Sequence, residues 1–267
     1  MKTILITGGA GFIGANFIPF LLDKRNEYMI VNLDLLTYAG DLQNLKEIAN
    51  NANYNFVKGD ICDRELVQNL FKKYNFSEVI HFAAESHVDN SIKNPDAFVR
   101  TNVIGTFNLL DVAKNYLKEF PNRFKKNFKS LRFYPISPDE VSGTLGDEYL
   151  FTEEVSYASN SYYSASKSSL GFMVRSCFYT SGMNANTTNC SNNYCPKQHD
   201  EKLILTIIRK AISGEKIPIY GAGKNVRDWL YVLDHCKGIE IAYQNGKAGE
   251  TYNIGGENEH NNLYIAT

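Results

Sequence analysis

The sequence predicts an α/β protein, a doubly wound parallel sheet followed by a smaller C-terminal portion. Three observations carry that expectation. Short β-branched runs alternate with amphipathic segments through the first half, the pattern of βαβ units. A glycine-rich turn at 8–14 joins the first of these runs to the first amphipathic segment. Beyond about Asn189 the texture changes to Asn-, Pro- and Gly-rich loops around a single helical segment.

Strands are expected at Thr3–Thr7, Met29–Asp34, Asn55–Lys58, Glu78–Ala83 and Arg132–Ser137. Helices are expected at Ile13–Asp23, Arg64–Tyr74, Ala97–Asn115 and Ser161–Thr180. Parallel strands connected this way place a ligand beyond their carboxyl ends. The later portion reads as a helix at Leu203–Ser213 with short strands at Ile217–Tyr220 and Thr251–Ile254. The expected division is 1–189 and 190–267, with segments near 226–254 returning to the first part. Asn262–Thr267 reads as the start of a helix, so the expectation is a protein that continues.

The 267 residues suffice for one large domain or a domain with a small appendage, and 43% apolar with 21% charged residues is the composition of a folded globular chain. A net charge of −1 provides no field for nucleic acid or an anionic membrane. The basic run from Arg123 to Lys129 reads as a solvated loop. No apolar stretch approaches a membrane span, and the N-terminus runs straight into a strand without an export signal. The 5 cysteines are scattered without metal-ligand spacing. The expectation is a cytoplasmic protein with reduced thiols and no metal.

Gly8, Gly11 and Gly14 lie between the first strand and first helix. Glycine there permits a tight turn and close approach of backbone to a pyrophosphate resting on the helix N-terminus. Asp34 ends the second strand, where a carboxylate accepts from ribose hydroxyls and repels a 2′-phosphate. The first part is therefore expected to be a Rossmann domain preferring NAD to NADP. Asp60-Ile61 and Phe82-Ala83-Ala84 follow the third and fourth strands, where such a fold meets adenine and phosphates.

Tyr163 and Lys167, four apart on one helix, form a candidate base in which the ammonium favours the phenolate. Asp139-Glu140, at the end of the strand before that helix, is either an acid and a base or a loop with two solvated carboxylates.

TGGAGFIG from Thr7, LTYAGDL from Leu36, AAESHVDNSI from Ala83, Asp139-Glu140, YSASK from Tyr163, NCSNNY from Asn189, Pro218-Ile219-Tyr220, VRDWLYVLDH from Val226 and GETYNIGG from Gly249 occur in this order. Together they resemble the dTDP-glucose 4,6-dehydratases, a family of extended short-chain dehydrogenases/reductases. The resemblance implies a lyase that borrows NAD. Tyr163 with Lys167 would deprotonate the carbon-4 hydroxyl, Glu140 would take the carbon-5 proton, and Asp139 would protonate the departing carbon-6 hydroxyl. It extends the cofactor contacts to Phe12, Ile13, Leu35, Leu36, Thr37, Ser86, Thr101, Ser137 and Asn193. It places substrate contacts at Ser86, Asp139, Glu140, Asn192, Lys202, Leu203, Pro218, Tyr220, Arg227 and Asn262. Lys202 and Arg227 suit a diphosphate, although as isolated residues either also reads as a surface charge. A nucleotide-sugar substrate, a homodimer and a place in rhamnose-type saccharide synthesis are further implications.

The sequence departs from that family at five places: Pro138 for threonine, Ser142 for tyrosine, Cys195 for glycine, Tyr162 for proline and Leu35 for lysine. Pro138 removes a hydroxyl that would hold the carbon-4 oxygen, implying reduced or lost activity. The alternatives are a UDP-sugar epimerase or decarboxylase, which needs no acidic pair, and a catalytically silent NAD-binding protein.

Overall fold

Ten strands organise the main architecture of the computed structural model, which describes residues 1–120, 123–124, 131–143, 151–194, 196–199, 202–219 and 221–267. They are β1 (Lys2–Thr7), β2 (Tyr28–Asp34), β3 (Tyr54–Lys58), β4 (Glu78–His81), β5 (Arg132–Pro138), β6 (Thr187–Cys190), β7 (Asn192–Tyr194), β8 (Val226–Tyr231), β9 (Thr251–Ile254) and β10 (Glu259–Asn261). Seven form a parallel sheet in the order β9-β6-β5-β4-β1-β2-β3. Strands β10, β8 and β7 form a separate small sheet. A short antiparallel ribbon pairs Lys118–Phe120 with Arg123–Phe124. The rest of the basic run lies outside the described residues.

The helices are α1 (Phe12–Lys24), α2 (Arg64–Tyr74), α3 (Val88–Lys93), α4 (Pro95–Phe98), α5 (Thr106–Leu117), α6 (Tyr162–Ser181), α7 (Leu203–Ile212), α8 (Val232–Asn245) and α9 (Asn262–Ala266). Successive strand residues face opposite sides of a sheet, so one strand feeds two cores. In β1, Leu5 packs with Val67, Phe71, Leu109 and Leu170 from α2, α5 and α6. Ile4 and Ile6 pack with Phe17, Ile18 and Leu21 of α1 and Ile239 of α8 on the other side. The outer helices are tied by charge as well: Glu240 accepts from Lys24 at 2.8 Å and Arg25 at 3.0 Å.

Several boundaries differ from the sequence-based expectation, each for a local reason. The strand expected to reach Ala83 stops at His81: the Phe82 amide still donates to the Thr7 carbonyl at 2.9 Å, but Gly8 then turns away from β1 with φ +72°. The helix expected over Ala97–Asn115 begins at Pro95 and runs to Leu117, with a π-helical segment, Val99–Gly105, between α4 and α5. Residues 217–219 join no ladder, so the strand expected at Ile217–Tyr220 is not formed there, while Tyr220 itself lies outside the described residues. Strand β6 (TTNC) was not apparent from its composition, because it is polar yet buried in the sheet. Strands β7, β8 and β10 and helices α3 and α8 likewise leave no clear periodic mark in the sequence.

At Gly8 two backbone segments meet without room for a side chain. A β-carbon there would sit 2.4 Å from the Ala83 amide nitrogen, in a backbone conformation that already disfavours L residues. Gly8→Ala is expected to destabilise the fold by about 2–4 kcal/mol, combining overpacking with backbone strain. Urea denaturation checks this, and an unchanged midpoint would refute it.

Candidate active site

The nucleotide end is assembled where β1 and β4 separate. Space dictates Gly8 as above, and a β-carbon on Gly14 would fall 2.6 Å from the Gly8 carbonyl oxygen. Gly11 is the N-cap of α1, so Phe12, Ile13 and Gly14 occupy the first turn, whose amides have no partner within the helix. Two side chains from β2 hold this turn. Asn32 accepts from the Gly9 amide at 3.1 Å, and Asp34 from the Ala10 amide at 2.9 Å. The other Asp34 oxygen accepts from the Leu36 amide at 2.8 Å. Burial raises the Asp34 pKa, while the Leu36 and Ala10 amides oppose the shift. Each oxygen retains a lone pair for a ribose hydroxyl.

The other expected cofactor residues follow neighbouring strands. Leu35 is exposed, Leu36 takes a left-handed conformation with φ +57°, and Thr37 follows. Asp60 accepts from the Cys62 amide at 2.8 Å and pairs with Arg100 at 3.6 Å, with Ile61 buried beside it. Phe82, Ala83, Ala84 and Ser86 lie in the loop after β4, and Thr101 lies in the π-helical segment.

At the chemical end, Ser161 and Ser164 form a reciprocal capping box that starts α6. One turn in, Tyr163 and Lys167 are both buried, and the Lys167 ammonium donates to the Ile136 carbonyl at 2.9 Å. Burial lowers the Lys167 pKa to about 8, against the opposing pull of Cys190 and Glu140. Tyr163 does not carry the lowered pKa expected from its neighbour. Burial pushes it well above the ordinary phenol, and the charges of Glu140 and Asp139 add to the rise.

Ser137 is buried near the end of β5, and Asp139 and Glu140 open a 3₁₀ turn, Asp139–Ser142, directly after that strand. Their electrostatic surroundings differ. Burial and then the neighbouring charge of Glu140 raise Asp139 to about 7, opposed by Arg227. Glu140 is also raised by burial, but Arg227, Lys202 and Lys167 all favour its ionised form. The pair thus supplies a carboxyl that retains its proton near neutrality beside one facing three cations.

Asn192 and Asn193 lie in β7, Arg227 in β8, and Asn262 is the first residue of α9. Lys202 is the N-cap of α7 and donates to the Ser86 carbonyl at 3.2 Å, with Leu203 beginning the helix. Pro218 lies in the loop at 217–219. The charges of Lys202 and Arg227 reach Glu140. Asn193 Oδ1 and Asn262 Oδ1 are buried without a hydrogen-bond partner. Their free acceptors, the glycine cradle and the open α1 amides fit a dinucleotide beside a polar substrate. Among the described residues, no group of three or more His, Cys, Asp or Glu is placed to hold a metal.

Three residues that organise the site escaped the motif reading. Asn32 holds the glycine turn. His81 bridges Thr7 at 2.7 Å and Thr106 at 2.9 Å, and burial lowers its pKa to about 3, keeping it neutral. Asn102 accepts from the Glu85 amide at 2.9 Å and donates to the Glu85 carbonyl at 3.0 Å and Ser166 at 2.8 Å, linking the loop after β4 to α6. Their available signal was a polar side chain at a position that periodicity assigns to the core.

The family profile described as GDP-mannose 4,6 dehydratase matches residues 5–267. A dTDP-glucose 4,6-dehydratase of Xanthomonas campestris pv. campestris (strain B100) is 49% identical over 265 residues, covering 99% of this chain and 74% of the relative. The chain belongs to the dTDP-glucose 4,6-dehydratase family. A family member from Bacillus anthracis str. Ames, solved in complex with NAD, aligns with a TM-score of 0.89 at 42% identity and covers 100% of this chain and 79% of that one. Another from Streptomyces venezuelae, solved with NAD bound, gives 0.90 at 38% identity, covering 99% and 79%.

Within this dehydratase family, the expected departures fall in different settings. Tyr162 and Leu35 are exposed, whereas Ser142 is buried in the 3₁₀ turn. Cys195 lies outside the described residues. Pro138 is the residue just before the acidic pair and lies opposite Cys190 in the β5–β6 register.

The raised Asp139 pKa has a stability consequence. A carboxyl that holds its proton more tightly when folded loses stabilisation as pH rises from about 4 through about 7. Asp139→Asn removes that ionisation and is expected to stabilise the protein at pH 8 by roughly 1–2 kcal/mol after allowance for solvent screening, with little change at pH 4. Thermal unfolding at both pH values tests this; equal effects at the two would refute it.

Proposed function

We propose that this chain is an NAD-dependent lyase that converts dTDP-glucose to its 4-keto-6-deoxy product and water. The observation carrying this reading is the acidic pair after β5, with Asp139 held near neutrality and Glu140 facing Arg227, Lys202 and Lys167. Removing water across carbons 5 and 6 requires both a proton donor and a proton acceptor. An epimerase requires neither. NAD-bound family members support the same cofactor for this chain.

NAD would supply the hydride acceptor for carbon 4 and the hydride donor for carbon 6. Gly8, Gly11, Phe12, Ile13 and Gly14 receive its pyrophosphate, Asp34 with Leu35, Leu36 and Thr37 its ribose, and Asp60, Ile61, Phe82, Ala83 and Ala84 its adenine side. Ser86, Thr101, Ser137, Tyr163, Lys167 and Asn193 complete its contacts. Tyr163, assisted by Lys167, accepts the carbon-4 hydroxyl proton. Burial opposes the Tyr163 phenolate, and a bound NAD would supply positive charge that favours it. Glu140 takes the carbon-5 proton, and Asp139 protonates the carbon-6 hydroxyl as it leaves. Glu140 returns its proton to carbon 5, and the proton on Tyr163 reaches Asp139 through solvent. The cofactor and the protein both end as they began.

Ser86, Asn192, Lys202, Leu203, Pro218, Tyr220, Arg227 and Asn262 are assigned to the sugar nucleotide. Residues 1–189 form the cofactor portion, and 190–267 mainly the substrate portion, with segments near 226–254 returning to the former. Pro138, lacking a hydroxyl, favours a second reading in which NAD binds without turnover. Incubation of the NAD-loaded protein with dTDP-glucose separates them. The expected result is a 4-keto sugar lighter by one water, with no net NADH, and Pro138→Thr is expected to raise the rate by about tenfold or more, the scale of one transition-state hydrogen bond. Bound substrate without product would favour the silent protein.

A homodimer packed through α5 and α6 accompanies this reading. Exposed Phe107 on α5 and Phe172 and Tyr179 on α6 support it, together with Ile104 just before α5. No helix among the described residues is long and apolar enough to cross a membrane. The described free thiols, Cys62, Cys177, Cys190 and Cys236, suit a reducing cytoplasm. Phe107→Glu is expected to shift the sedimenting species from dimer to monomer; a dimer unchanged by it would place the interface elsewhere.

A further inference from the structure

Helix α1 carries a proline in its interior, Pro19. Proline has no amide hydrogen, so the carbonyl four residues earlier, that of Ala15, receives no bond from position 19. That carbonyl instead accepts from the Lys197 ammonium at 3.2 Å. Lys197 is distant in sequence and takes a left-handed conformation with φ +71°. Its ammonium also lies 3.4 Å from the Glu47 carboxylate, with the lysine side chain 19% exposed and that of Glu47 64% exposed. One residue along α1 from Ala15, the Asn16 side-chain Nδ2 donates to the Pro196 carbonyl at 3.0 Å and to the Phe12 carbonyl at 2.9 Å.

These contacts form a physical connection between two ends of the site. Gln198 donates to the Asn193 carbonyl at 2.8 Å, while His199 packs edge-on against Tyr38 at 5.6 Å, in the loop after β2. Residues 196–199 therefore touch the ribose-side loop, the helix whose N-terminus faces the pyrophosphate, and β7. We propose that Lys197 is a positioning residue that uses the acceptor exposed by Pro19 to latch this segment to the cofactor helix and slow NAD release. The proposal extends the NAD-binding part of the reading above and does not depend on turnover.

The test compares three variants, Lys197→Met, Pro19→Ala and the double variant, by the release rate of bound NAD and by thermal unfolding. Lys197→Met is expected to accelerate release about ten- to a hundredfold, the scale of losing one charge-assisted hydrogen bond. Pro19→Ala restores an amide that competes for the Ala15 carbonyl, so it should raise the unfolding temperature while also accelerating release. A side chain acting only on fold stability would not separate those readouts in that way. The double variant is expected to release NAD no faster than Lys197→Met alone. Unchanged release from Pro19→Ala, or multiplicative effects in the double variant, would overturn the proposal. If Lys197→Met fails to fold, Pro19→Ala alone decides: a more stable protein with faster release supports the latch, and any other result refutes it. Absence of dehydratase product from the unmodified chain would count against the lyase assignment while leaving the release comparison intact.

Discussion

Between Gly8 and Ala83 two backbone segments leave the parallel sheet with no space for a methyl group between them. That approach depends on Gly8 turning with positive φ, and the turn is held from β2 by Asn32 and Asp34. Opening it would disturb the entry to α1 and the end of β4 together. The acidic pair inherits the constraint, because β4 neighbours β5 and Asp139 and Glu140 directly follow β5. His81 and Asn102 extend the connection towards the helices through buried hydrogen bonds. A break in a buried polar connection leaves unsatisfied groups, so these parts resist independent movement.

The same architecture assigns different chemistry to two carboxyls of similar intrinsic acidity. Burial is the largest cause raising both Asp139 and Glu140. The distinction comes from their neighbours: Glu140 faces Arg227, Lys202 and Lys167, whereas Asp139 faces Arg227 among the negative charges of Glu140 and Asp228. Those cations arrive from β8, the start of α7 and α6, so the proton assignment belongs to the assembled site rather than to β5 alone.

Much of this was legible from periodicity and spacing. Strands β1 and β2 and the glycine turn declare themselves because apolar runs and special backbone conformations leave direct marks on sequence. Strand β6 does not: Thr187, Thr188 and Asn189 are polar and yet buried, their setting decided by neighbouring strands. The Tyr163–Lys167 spacing correctly identified a shared helical setting, but it could not convey how far burial raises the phenol pKa. Lys197 illustrates the limit most directly, since its partner is a carbonyl on α1, distant in sequence and without a motif of its own.

Asp34 also limits how readily this scaffold can be re-engineered. A change of cofactor towards one bearing a 2′-phosphate ordinarily begins by replacing the acidic residue at the end of the second strand. Here both oxygens of that residue already receive main-chain amides, one from the glycine turn and one from left-handed Leu36. Removing the carboxylate would eliminate charge repulsion and dismantle the scaffold beneath the incoming phosphate in one step. An evolutionary or laboratory route to the alternative cofactor would therefore need replacement acceptors for Ala10 and Leu36 before it gained from a new cation.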